Sequence, residues 1–128
     1  MTIMRSLAAA GFLSSFLLGG CSNNIGPVAG ALNVNISSPQ HDDGALLLTV
    51  SGGPVDSVES VGYRIYSIRA ADSVKFIVTG SLGSGPVARI HIPDGRQASR
   101  YSAKISQIAA RVSYATRDPG TYSITLQP

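Results

Sequence analysis

Apolar and polar side chains alternate along most of the chain beyond residue 30. The clearest run has Leu32, Val34 and Ile36 separated by Asn33 and Asn35. Alternation with a period of two places one set of side chains in a core and the other set in solvent, and therefore predicts a β-strand. Six more runs repeat this pattern, with the predicted inward positions Leu46/Leu48/Val50, Tyr63/Ile65/Ser67, Val74/Phe76/Val78, Ala88/Ile90/Ile92, Tyr101/Ala103/Ile105 and Tyr122/Ile124/Leu126.

Three of these runs carry further information. The strand around Leu48 also has apolar residues, Ala45 and Leu47, on its opposite face, so we expect it to be central. The last run is polar on one side, which predicts an edge or outer strand. The run that starts at Tyr101 is predicted to continue towards Tyr114. A helix competes over residues 98–111, where the period is mixed, but the serines and β-branched residues favour a strand.

Turn-forming residues separate the runs. Pro93-Asp94-Gly95 predicts a tight turn, Asp118-Pro119-Gly120 a type II turn and residues 80–86 a hairpin loop. The composition agrees, because 13% of the 128 residues are charged while 14 are Gly and 7 are Pro. The sequence predicts a single all-β domain over residues 31–128, an antiparallel β-sandwich of seven to eight strands.

The N-terminal segment has the pattern of a secretory signal peptide. Arg5 precedes an apolar run from Leu7 to Gly20, which is shorter than the roughly 20 residues of a membrane-spanning helix. The run ends in Leu18-Gly19-Gly20-Cys21, which resembles the lipobox of bacterial lipoproteins. The alternative is an ordinary signal peptide in which Cys21 is incidental.

The lipobox resemblance implies cleavage between Gly20 and Cys21, with acylation of the Cys21 thiol and of the new amine. Residues 1–20 would then be the signal peptide and residues 21–30 a flexible tether. The resemblance also implies a lipid-anchored protein of the bacterial cell envelope. In a Gram-negative cell, Ser22 after the cysteine would direct the protein to the outer membrane, on its periplasmic or surface side.

The domain itself resembles immunoglobulin-like and cohesin-like sandwiches. The residues that carry the similarity to cohesin-like domains are 85–92, 101–105 and 122–126. An immunoglobulin domain proper has a Cys…Trp…Cys spacing, and this chain has one Cys and no Trp. The resemblance favours a binding function over catalysis.

Few residues suggest catalysis. One cysteine excludes an intramolecular disulfide, no Gly-x-Ser-x-Gly motif occurs, and the glycines at 80–85 lack the Lys that ends a phosphate-binding loop. We therefore expect a non-enzymatic module without a cofactor. The alternative is a small metal-dependent hydrolase that uses His41, Asp42 and Asp43, because such a cluster could ligate a divalent ion. His91 is predicted to be a surface residue, because it alternates with Ile90 and Ile92.

Charge is distributed unevenly along the chain. Residues 21–63 contain four acidic side chains and no Lys or Arg, whereas residues 64–128 contain nine basic and three acidic ones. The two halves could complement each other inside the fold. Alternatively, the second half forms a basic surface for an envelope protein, phospholipid headgroups or an anionic polymer. The formal net charge of +3 is too small to indicate nucleic-acid binding. The candidate residues for an anionic partner are Arg64, Arg69, Arg89, Arg96, Arg100 and Lys104.

Tyrosine positions bear on sugar binding, which secreted sandwiches achieve by stacking aromatic rings on the ligand. Tyr63, Tyr101 and Tyr122 fall on predicted inward positions. Tyr66 and Tyr114 are therefore the two tyrosines that we expect to be exposed.

Overall fold

The structure is a computed structural model that describes residues 26–128. The predicted signal peptide, the lipobox and Cys21 lie outside the described residues. The described part confirms the all-β prediction, with two short 3₁₀ helices at Gly95–Arg100 and Pro119–Thr121. Its nine strands are β1 (Gly30–Ser37), β2 (Asp43–Ser51), β3 (Ser57–Ser60), β4 (Arg64–Arg69), β5 (Ser73–Leu82), β6 (Gly85–Ile92), β7 (Ser102–Ala110), β8 (Thr116–Arg117) and β9 (Ser123–Gln127).

The strands form two antiparallel sheets packed face to face. One sheet has four strands in the order β3-β6-β1-β9, and the other has five in the order β4-β5-β2-β7-β8. The seven predicted runs correspond to seven of these strands. The other two, β3 and β8, have four and two residues and are too short to show a period. The strand predicted to be central, β2, is the middle strand of its sheet, and β9 is an edge strand as predicted.

The predicted inward side chains form the core between the sheets, except Ser67, which is exposed. Leu32 and Val34 of β1 face Leu48 of β2 and Phe76 of β5, and all four are at most 2% exposed. Burying side chains of this size stabilises the folded state by about 1.5–3 kcal/mol each relative to leaving them exposed. The alternating apolar side chains therefore favour strand formation and also hold the two sheets together.

A β-bulge in β7 explains why residues 98–111 have a mixed period that also suggested a helix. Leu47 pairs with Gln107 while Leu48 pairs with Ile105, so Ser106 is an additional residue in β7. The inward set consequently shifts from Ile105 to Ile108, a spacing of three that is typical of helices. The strand ends at Ala110, so the predicted extension to residue 114 is wrong.

Two turn predictions are also corrected. The segment at residues 80–86 is not a hairpin loop, because β5 and β6 belong to different sheets and the chain crosses between them there. Gly120 does not have the positive φ of a type II turn. Instead, the Asp118 carboxylate accepts a hydrogen bond from the Gly120 amide at 2.9 Å and caps the second 3₁₀ helix.

The first described residues, which precede β1, lie at one end of the sandwich. The Gly95 amide donates to the Val28 carbonyl at 2.7 Å, which fixes the start of β1 beside the first 3₁₀ helix. That helix leads directly into β7, and Ser102 of β7 pairs with Ser51 at the end of β2. We call this end of the sandwich, where β1 begins, the N-terminal end. Within residues 26–128, no helix has the length and apolar character needed to cross a membrane.

Candidate functional site

A buried aspartate lies at the other end of the sandwich. Gly44 is an additional residue in β2 relative to β7, and this bulge turns the side chain of Asp43 towards the interior. A Cβ atom at position 44 would lie 2.5 Å from the Cα of Arg111, so only glycine fits there. Asp43 is 0% exposed, and it is the one buried charged residue among those described.

Asp43 accepts hydrogen bonds from three elements. The hydroxyl of Ser38, the guanidinium of Arg117 and the phenol of Tyr122 each donate to its carboxylate at 2.7 Å. Ser38 and Tyr122 adjoin strands of the four-stranded sheet, whereas Arg117 lies on β8 of the five-stranded sheet. The carboxylate therefore links the two sheets.

The ionised form of Asp43 is favoured in the fold. Burial alone would raise its pKa, but the hydrogen bonds from Ser38, Tyr122 and Arg117 outweigh burial and hold the pKa below its usual value. The pKa of Tyr122 is raised, first by burial and then because its phenol donates to the carboxylate. Both shifts indicate a carboxylate that stays charged and a phenol that stays neutral at pH 7.

The residues of the predicted metal loop have other partners. Arg117 also pairs with Asp42 at 2.8 Å, so one guanidinium contacts both carboxylates of the pair. The Arg117 guanidinium thus supplies the positive charge that a bound metal ion would otherwise supply to these two carboxylates. His41 is exposed in the preceding loop. Within the part of the chain that the structure describes, no group of three or more His, Cys, Asp or Glu residues has the arrangement of a metal site.

The six residues predicted to contact an anionic partner do not share one surface. Arg64 and Lys104 lie on the outer face of the five-stranded sheet, and Arg89 on that of the four-stranded sheet. Arg69 donates to the backbone carbonyl of Asp56. The remaining two, Arg96 and Arg100, lie on the first 3₁₀ helix. The predicted basic surface is thus divided among four places.

The outer face of the five-stranded sheet carries apolar and cationic side chains. Tyr66, Ile68 and Ile77 on this face are 59%, 77% and 41% exposed. The cations on the strands of this face are Arg64, Lys75 and Lys104. Among the described residues of these strands, no side chain on this face is acidic. The pairing registers assign to this face Arg64, Tyr66 and Ile68 of β4, Ser73, Lys75, Ile77 and Thr79 of β5, Ala45, Leu47, Thr49 and Ser51 of β2, Ser102, Lys104, Gln107 and Ala109 of β7, and Thr116 of β8.

The outer face of the four-stranded sheet has a different character. Asn33 and Asn35 lie on it, and Asn35 donates to Gln127 at 3.3 Å. The His91 imidazole and the Glu59 carboxylate form a hydrogen bond there at 2.7 Å, although the two residues are 32 positions apart in sequence. The pairing of β3 with β6 creates this contact, and β3 is too short for its alternation to be recognised. This face is therefore polar and carries both signs of charge.

No protein-family model matches the chain, and comparisons with curated proteins and with solved structures find no match.

Shallow depressions cross the outer face of the five-stranded sheet. One of about 140 Å³ lies between Tyr66, Ile68 and Leu47. A second, of about 160 Å³, shares Leu47 and adds Ala109 to its lining. A third, of about 450 Å³, shares Ala109 and is also lined by Arg111 and Tyr114 from the loop after β7. The depressions adjoin, so the apolar surface is continuous from β4 to β7.

The tyrosine predictions are confirmed. Tyr66 is on the outer face just described, and Tyr114 is 78% exposed in the loop after β7. Tyr101 and Tyr122 are buried, and Tyr63 packs against the core. The alternation of the sequence contained the signal for the apolar outer face as well, because Ile68 and Ile77 occupy positions predicted to face solvent.

Proposed function

We propose that the protein is a lipid-anchored lipoprotein of the bacterial cell envelope in which the β-sandwich is a non-enzymatic binding or structural module. Support for the anchor comes from the sequence Leu18-Gly19-Gly20-Cys21 and its position after an apolar run. A single acyl chain binds a bilayer only marginally, whereas two or three chains hold a protein there stably. Acylation of both the thiol and the amine of Cys21 would supply them.

The binding role rests on one observation, the contrast between the two outer faces. A soluble sandwich normally has polar side chains on both outer faces. Here the four-stranded sheet follows that rule, while the five-stranded sheet exposes Tyr66, Ile68 and Ile77 around a continuous apolar surface. Extended apolar patches that are rimmed by polar groups are typical of interaction surfaces.

The metal-dependent hydrolase is the alternative that the sequence left open, and the geometry gives it no support. Both carboxylates of its loop contact Arg117, and Asp43 is closed off from solvent. A substrate would have no access to that carboxylate.

Mass spectrometry of the mature protein tests the anchor. We expect an N-terminal Cys21 that carries acyl chains. Cys21→Ser should leave an uncleaved or mislocalised precursor, whereas the matched variant Ser22→Ala should still be cleaved and acylated. A free thiol at Cys21 with cleavage at another position would contradict the proposal.

A further inference from the structure

We propose that the outer face of the five-stranded sheet lies against the anionic membrane surface to which the protein is anchored. This inference rests on the proposed lipid anchor, and it adds the surface of the domain that contacts the bilayer and the type of lipid that it contacts. It follows from three observations, namely the charges of the face, its apolar side chains and its position relative to the tether.

Charge complementarity favours an anionic partner. Arg64, Lys75 and Lys104 are the charged side chains of this face within the described residues. Each Lys or Arg close to an anionic leaflet increases binding by roughly five-fold, so three together have a substantial effect. A second copy of the same face would bring these cations against one another without any acid between them. Self-association through this face is therefore disfavoured.

The apolar side chains suit the interfacial region of a bilayer. Ile68 and Tyr66 project from the edge strand β4, where they are well exposed. Tyrosine is enriched at membrane interfaces because its ring is apolar and its hydroxyl can remain hydrated. Lys75 is paired with Ile68 across β4 and β5, so a cation stands beside the most exposed aliphatic side chain of the face.

The proposed tether keeps one end of this face within reach of the membrane, because β1 begins at that end of the sandwich. Cys21 is nine residues before Gly30, a distance that an extended chain spans in about 30 Å at most. Gly30, the first residue of β1, lies at the N-terminal end, and Lys104 is two residues beyond the start of β7 at that same end. Lys104 and Lys75 both pair with Thr49, so both cations lie in one row near the N-terminal end of the sandwich. The anchor therefore holds the outer face at a high local concentration of lipid.

The chain contains no tryptophan, so a single introduced Trp reports on one face. We would place it at Ile68 in one protein and at Thr125, on the outer face of the four-stranded sheet, in a matched control. The mature full-length proteins would be reconstituted into vesicles of phosphatidylglycerol and phosphatidylcholine whose acyl chains are brominated. We expect several-fold stronger quenching for Ile68→Trp than for Thr125→Trp, and a decrease of that quenching in 0.5 M salt.

Charge-reversal variants distinguish membrane contact from other causes of quenching. In the Ile68→Trp protein, Lys75→Glu together with Lys104→Glu should reduce quenching to the Thr125→Trp level. Reversal of Arg89, on the opposite outer face, should leave it unchanged. Equal quenching of both reporters overturns the inference, as does an Ile68→Trp signal that responds only to an added envelope protein.

Failure of the anchor would be visible separately. Flotation with uncharged phosphatidylcholine vesicles depends on acyl chains and not on the cationic face. A protein that floats with these vesicles but shows equal quenching at both reporter positions retains the anchor and refutes the membrane-facing surface. A protein that does not float with them but shows Ile68→Trp quenching on anionic vesicles refutes the anchor and retains the surface.

Discussion

Replacement of Asp43 by Ala should destabilise the domain more than any change to the neighbouring Asp42. The carboxylate is 0% exposed and accepts three hydrogen bonds of 2.7 Å. Its removal leaves the buried Tyr122 phenol without its acceptor, and it leaves the Arg117 guanidinium, whose side chain is 21% exposed, with Asp42 as its carboxylate partner. Breaking a buried charge pair costs about 3–5 kcal/mol, and the lower end of that range is expected here because one partner remains in contact with water. A domain of this size has a total stability of about 5–15 kcal/mol, so the loss is a large fraction of it.

Asp42→Ala is the matched control because Asp42 contacts the same guanidinium. Its side chain is half exposed, and a pair of that kind contributes about 1 kcal/mol or less. Urea unfolding of both mature variants at pH 7, followed by circular dichroism, measures the difference. We expect Asp43→Ala to lose at least 2 kcal/mol more than Asp42→Ala, by the estimates above. Equal losses would refute the assignment of Asp43 as the link between the sheets.

The pH dependence gives a second measurement on the same residue. Since the hydrogen bonds hold the pKa of Asp43 below its unfolded value, its contribution to stability is present above about pH 4. It is lost as the pH falls through the lower, folded-state pKa. Asp43→Asn keeps an acceptor for Tyr122 and Arg117 but has no charge to titrate. The stability difference between the wild type and Asp43→Asn should therefore shrink as the pH is lowered from 5 to 2.5, and a constant difference would contradict this reasoning.

Two further substitutions test the packing around this framework. Tyr122→Phe removes one donor to Asp43 and should cost about 1.5–3 kcal/mol in urea unfolding, the range for a hydrogen bond to a charged group; no measurable loss would mean that the bond does not form in solution. Gly52→Ala should cost more than 2 kcal/mol, because φ is +119° there and the new Cβ would lie 2.1 Å from a backbone oxygen. Gly83→Ala, which meets open space at an ordinary φ, is its control and should change thermal stability little.

Strand positions could be predicted from the sequence because local alternation determines which side chains are buried. The interior of β1 and the central position of β2 both follow from which of their faces are apolar. The bulge at Ser106 could not be predicted, since it depends on how β7 pairs with β2. The type II turn at Gly120 was a local prediction that failed, because the Asp118 side chain instead caps a 3₁₀ turn at that point.

The candidate sites depend on contacts between distant parts of the chain. Asp43 and Arg117 are 74 residues apart, and His91 and Glu59 are 32 residues apart. Adjacent acids such as Asp42 and Asp43 have the same appearance in sequence whether they bind a metal ion or an arginine. Only the strand order, which brings β8 beside β7 and near the start of β2, determines that the cation is a guanidinium.

The charge asymmetry of the sequence has two separate explanations in the fold. Arg117 neutralises acids of the first half of the chain, as internal complementarity requires. Lys75 and Lys104 belong to the same basic half, but they face outwards on a surface where the described residues include no acid. Internal complementarity and a basic outer surface therefore each account for part of the asymmetry. It follows that removing Arg117 should affect stability, whereas removing the two lysines should affect association and leave the core intact.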